Sequence, residues 1–93
     1  MSNPIPILDE IQLILSPLSC TPADASVVYP PITAKIAQLR QLKVDEDLLD
    51  LIDDSAQIML GMESGEPTAA MAHVITEIER WKKENPMWFG HLA

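Results

Sequence analysis

Apolar residues recur along most of this chain at intervals of three and four, the spacing that gathers side chains on one face of a helix. The first such stripe is Ile7, Leu8, Ile11, Ile14, Leu15 and Leu18. Asn3 followed by Pro4 supplies a cap and a first-turn proline, and Asp9 and Glu10 sit toward the positive end of the helix dipole. Ser16-Pro17 disfavours continuation, so the pattern predicts a first helix over about residues 4–16.

Thr21, Pro22, Ala23 and Asp24 have the form of a capped start, with Asp24 able to answer Thr21 as in a capping box. Tyr29-Pro30-Pro31 follows so soon that only one or two turns fit, and residues 17–31 are expected to be a proline-rich, irregular connection. Pro30 and Pro31 suit the opening of a second helix, with Ile32, Ile36, Leu39 and Leu42 on one face, Lys35, Gln38 and Arg40 on the wetter side, and an end near Lys43. Asp45 can cap a third helix whose first turn carries Glu46 and Asp47. Its stripe is Leu48, Leu51, Ile52, Ser55, Met59 and Met62, with Gly61 and Gly65 marking the exit. After Pro67, the positions Ala70, Met71, Val74, Ile75, Ile78 and Trp81 give the clearest pattern, about five turns ending at Asn85-Pro86. The one strand-like run, Val27-Val28-Tyr29, meets two prolines, so no sheet is expected. Four stripes with short connections predict an all-α fold: a small antiparallel bundle of about four helices, with a short aromatic C-terminal tail.

At 93 residues and 47% hydrophobic content the chain has material for one core, hence one domain over 1–93, and a body of about 12 Å radius of gyration. A core of this size leaves a small stability margin, which makes a homodimer an efficient source of further burial. Cys20 is the only cysteine, which rules out an internal disulfide. The sequence shows no basic segment leading into a long apolar run, and Asp, Glu or Pro interrupts every run before the roughly 18 residues a spanning helix needs. The expectation is a soluble, cytoplasmic protein that does not enter a membrane.

Charge adds a location. The net charge is -8, from fourteen acids and six bases, which disfavours direct binding of nucleic acid. Eight of the acids, Asp45, Glu46, Asp47, Asp50, Asp53, Asp54, Glu63 and Glu66, lie within 44–66, where there is no Lys or Arg; the rest of the chain balances six acids with six bases. Asp47, Asp50 and Asp54 are spaced three and four apart on one helix face, where they repel one another unless they meet water or a basic partner.

Residue patterns that carry chemistry are few. His73, Glu77 and Arg80 share a face of the fourth helix, a spacing that makes ion pairs more readily than a catalytic set. Asp45-x-Asp47 lacks the glycine turn of a calcium loop, Cys20 has no local nucleophile signature, and neither a Gly-x-Ser-x-Gly elbow nor a Gly-rich phosphate loop occurs. No cofactor or metal is predicted. A metal-dependent hydrolase built in a helical bundle would require Asp50, Asp53 or Asp54 to converge with Glu77. Asp54-Ser55-Ala56 resembles the Asp-Ser-Leu motif of small acidic helical carrier proteins, whose serine holds a phosphopantetheine arm; the resemblance covers two residues, with Ala56 in place of Leu. The tail holds Trp88 and Phe89, aromatic residues suited to completing the core or anchoring a partner.

These features together predict a noncatalytic protein-binding module, of the inhibitor, immunity-protein, adaptor or chaperone-like kind. It would dock a basic protein surface through Asp45, Glu46, Asp47, Asp50, Asp53 and Asp54, with Trp88 and Phe89. A subunit of a homo-oligomer or larger assembly is the structural alternative.

Overall fold

The computed structural model describes residues 3–19 and 23–86. Helix α1 spans Pro4–Leu15 and tightens into a 3-10 turn at Ser16–Ser19; α2 spans Ala25–Gln41, α3 spans Glu46–Met59 and α4 spans Pro67–Glu84. No strand occurs among the described residues. The fold is a small all-α bundle, and none of its described helices is long and apolar enough to cross a membrane. Cys20 and the tail residues Trp88 and Phe89 lie outside the described residues.

Three of the four helix starts are fixed by short polar side chains. Asn3 Oδ1 accepts from the Ile5 N–H at 2.8 Å, Asp24 Oδ1 from Ser26 N–H at 3.0 Å, and Asp45 Oδ1 from Asp47 N–H at 3.3 Å. Each satisfies one of the backbone donors that a helix leaves unpaired in its first turn. Helix α4 opens instead on Pro67, whose missing N–H removes one of those donors.

The start of α2 corrects the sequence reading. The helix begins at Ala25, behind the Asp24 cap, and Pro30 and Pro31 lie inside it. Residues 25–31, expected to be irregular, are helical because two start signals compete and the upstream one prevails. Asp24 binds both the N–H and the hydroxyl of Ser26, and its own carbonyl accepts from Val27 N–H and Val28 N–H at 3.0 Å each. The two prolines withdraw the donors that would reach the carbonyls of Ser26 and Val27. Ser26, Val27, Pro30 and Pro31 are all exposed, so water can serve those carbonyls.

Two helix ends use the same hydrogen-bond pattern with different residues. At the end of α2, Val44 N–H reaches the Leu39 carbonyl and Lys43 N–H the Arg40 carbonyl, both at 3.1 Å, with Lys43 at a φ of 65°. At the end of α3, Met62 N–H reaches Gln57 at 2.8 Å and Gly61 N–H reaches Ile58 at 3.1 Å, with Gly61 at a φ of 76°. Both are Schellman closures, which need a left-handed residue just past the cap. In α2 the closure also buries Val44 and Leu39 in the core.

Each helix packs on its neighbours in chain order, and α4 closes the ring onto α1. Lys82 Nζ on Asp9 Oδ1 at 2.9 Å ties the end of α4 to α1, and Lys35 on Glu10 ties α2 to α1. The core is filled by Leu8, Ile11 and Leu15 of α1, Ile32, Ile36 and Leu39 of α2, Leu49 and Ile52 of α3, and Val74, Ile78 and Trp81 of α4. Leu49 and Ala56 are buried although they lie off the stripe read for α3, because that helix packs against both α2 and α4. Met62 and Ile75, read as core positions, are 49% and 42% exposed; Met62 falls beyond the closure at Gly61, and Ile75 sits at the edge of the α4 face.

The two closures generate a paired prediction. Lys43→Gly relieves a left-handed side-chain residue and should stabilise the fold by about 0.5–1 kcal/mol, whereas Gly61→Ala, with open space around the new Cβ but the same backbone demand, should cost about 1 kcal/mol. Urea unfolding of the two variants beside the parent checks both signs; a loss of stability in Lys43→Gly would contradict the assignment.

Candidate functional site

Helix α3 carries the acids, and its surroundings divide them. Asp45 spends its carboxylate on the cap, and Glu46 pairs with Arg40 Nε at 2.9 Å. Asp53, half-buried, accepts from the Tyr29 hydroxyl through Oδ1 and from Gln57 Nε2 through Oδ2 at 3.1 Å, while the same Gln57 amide lies 3.3 Å from the Tyr29 oxygen. Asp47, Asp50 and Asp54 are exposed and make no ion pair among the described residues. Of the six positions read as one acidic set, three are therefore engaged within the fold and three form an outward edge.

Elsewhere four of the six acids, all but Asp24 and Glu84, meet bases. Glu10 pairs with Lys35, Asp9 and Glu79 with Lys82, and Glu77 with Arg80 at 2.8 Å and with His73 at 4.0 Å. The His73, Glu77 and Arg80 trio is thus a surface cluster of ion-pairing geometry, as its spacing suggested. Within 44–66, Glu46 alone has an ion-pair partner among the described residues.

Two clefts flank the acidic edge. One, of about 270 Å³, lies between α3 and α4, with Asp47, Leu51, Glu77, Arg80 and Trp81 among its walls. The other, of about 190 Å³, lies between α2 and α3 and is lined by Tyr29, Thr33, Ile36, Arg40, Leu49, Asp50 and Asp53. Glu77 lines the first, and Asp50 and Asp53 line the second, so the carboxylates that a bundle hydrolase would bring together face different clefts. Among the described residues no three His, Cys, Asp or Glu side chains gather as a metal site would require. Ser55 is 3% exposed in the interior of α3, where its hydroxyl is not presented to solvent as an attachment point must be. A third, more open groove of about 510 Å³ runs between α1 and α4 past Leu13, Met71 and Ile75.

The Tyr29 contact was not foreseen from sequence. Tyr29 and Asp53 are 24 positions apart and belong to different helices, so no local spacing links them. The hydrogen bond to Asp53 is the main reason the Tyr29 hydroxyl is pushed above its ordinary value near 10.0; burial and the Asp53 charge add to this, Asp54 contributes at longer range, and the Gln57 contact opposes it. The fold therefore favours the neutral phenol.

Comparison with protein families, with curated proteins and with solved structures returned no match.

Tyr29 is the only tyrosine, so tyrosinate absorbance follows this one group. We expect it to titrate above the free phenol. A raised folded value means the stabilisation is present below the unfolded value near 10 and is lost as pH rises through the folded value. Asp53→Asn removes both the charged acceptor and the repulsion of the phenolate. The Tyr29 titration should then move down toward the free value and the alkaline loss of stability should shrink; an unchanged titration would show that Asp53 does not set it.

Proposed function

We propose that this chain is a noncatalytic protein-binding module that docks a basic protein surface through the exposed acidic edge of α3. The observation that supports this reading is the mismatch in pairing: Asp9, Glu10, Glu77 and Glu79 on α1 and α4 each pair with a base, with Glu84 the exception, while Asp47, Asp50 and Asp54 stand together with no ion pair among the described residues. Their axial spacing, about 4.5 and 6 Å from the helical rise, suits a row of Lys or Arg side chains on one element of a partner. The same charge repels a phosphate backbone, so nucleic acid is not the ligand class favoured.

Replacing Asp47, Asp50 and Asp54 together with Asn should weaken partner binding by about tenfold or more at low salt and make the remaining affinity less salt-sensitive, because the screened Coulomb contribution is what has been removed. Far-ultraviolet circular dichroism should stay helical, since none of the three is buried. Affinity unchanged at low salt for the partner recovered from the native host would overturn the docking reading.

A second reading, a subunit of a homo-oligomer, is favoured by one observation: Leu13, 74% exposed, and Ile75 lie along the apolar α1–α4 groove. In that case sedimentation should show a mass that rises with concentration and returns to one chain in Leu13→Asp. A single-chain mass at every concentration would eliminate it.

A further inference from the structure

Helix α2 contains two start signals, at Ala25 and at Pro30. One is used: Asp24 caps the turn that begins at Ala25. The other is Pro30-Pro31, a pair whose missing N–H groups cost nothing at a helix start but remove two ladder bonds where they stand. The α conformation is also sterically disfavoured for Tyr29 and Pro30, because each precedes a proline. Residues 25–29 are therefore joined to the rest of α2 by a weakened ladder, and they bury little: Val27 is 66% exposed, Ser26 is exposed, and only Val28 and Tyr29 pack against the core. What fastens this turn to the bundle by side-chain hydrogen bonding is Tyr29, through its hydroxyl on Asp53 and the neighbouring Gln57 amide.

We propose that the first turn of α2 is a latch: Tyr29 holds it closed on α3, the Pro30-Pro31 break is where it opens, and opening releases the Asp53 carboxylate to the acidic edge. Closed, Asp53 is half-buried with both oxygens occupied by neutral donors. Open, α2 starts at the prolines and Asp53 lies one residue from Asp54 and three from Asp50, as a fourth acid available to a basic partner. A cationic side chain makes a stronger, charge-assisted bond to Asp53 than the phenol does, so docking and opening favour each other. The second half of the proposal rests on the docking reading; the opening itself does not.

Amide hydrogen exchange on the full chain tests the opening. Residues 26–29 should exchange faster than residues 36–41 of the same helix. Tyr29→Phe, which keeps the ring and removes the hydroxyl, should raise exchange at 26–29 by about fivefold to tenfold with 36–41 unchanged. Replacing Pro30 and Pro31 with Ala restores two donors and should slow exchange at 26–29. Equal protection along α2, or no response to Tyr29→Phe, overturns the latch.

Binding of a short poly-lysine peptide at low salt tests the consequence. Affinity should rise about threefold in Tyr29→Phe, and the gain should vanish in Tyr29→Phe with Asp53→Asn. A faster-exchanging turn with unchanged peptide affinity overturns the release of Asp53 while the opening stands. A peptide that ignores Asp47, Asp50 and Asp54 as well counts against the docking reading instead.

Discussion

Helix α3 has to pack against two neighbours at once, and the rest of the bundle follows from how it does so. With α2 on one side and α4 on the other, Leu48, Leu49, Ile52, Ser55, Ala56 and Met59 are all taken inward, six of its fourteen residues. The other eight residues stay at least partly in water, and the polar ones among them, Glu46, Asp47, Asp50, Asp53, Asp54 and Gln57, lie away from the core. Asp47, Asp50 and Asp54 fall together there because they are spaced three and four apart. The dipole offsets part of the repulsion at the first turn, where Glu46 and Asp47 stand, but it fades before Asp50 and Asp54.

The connections carry the second half of the design. Schellman closures at Lys43 and Gly61 turn the chain sharply after α2 and α3 and leave only a few residues before the next helix. Such short links keep α2, α3 and α4 as consecutive neighbours. Lys43 keeps in this role the left-handed conformation that glycine adopts without strain, and the burial of both Val44 and Leu39 in the core helps to hold it there.

What could be read from sequence was whatever depends on neighbours within about four positions. The caps at Asn3 and Asp45, the exit at Gly61 and the stop at Asn85-Pro86 are local signals, and so are the stripes that place Leu8, Ile36, Ile52 and Trp81 inside. The start of α2 was misread because both candidate signals are local and valid, and spacing along the chain alone does not say that the Asp24 cap prevails. Leu49 and Ala56 were missed for a related reason, since a stripe read on one helix cannot tell how many neighbours will press on it. The acidic stretch was legible as a composition but not as a surface. Its division into a cap, an ion pair, a hydrogen-bonded carboxylate and a bare edge needed Arg40, Tyr29 and Gln57 in place.

The two local ambiguities of the chain, where α2 starts and how many acids face outward, meet in one contact. A phenol and an amide are the donors that Asp53 receives, neither carries a charge, and both must be ordered to reach it. That arrangement satisfies a half-buried carboxylate without neutralising it, so the field of the acidic edge still includes Asp53 even while its oxygens are occupied. Arg40 lines the same cleft, yet its Nε is committed to Glu46. Had a lysine or arginine answered Asp53 instead, the turn would be held more firmly and the edge would be less negative. A neutral clasp at this position therefore keeps two properties that a salt bridge would remove together: a strong outward field on α3, and a first turn of α2 held by the packing of Val28 and Tyr29 and uncharged hydrogen bonds alone.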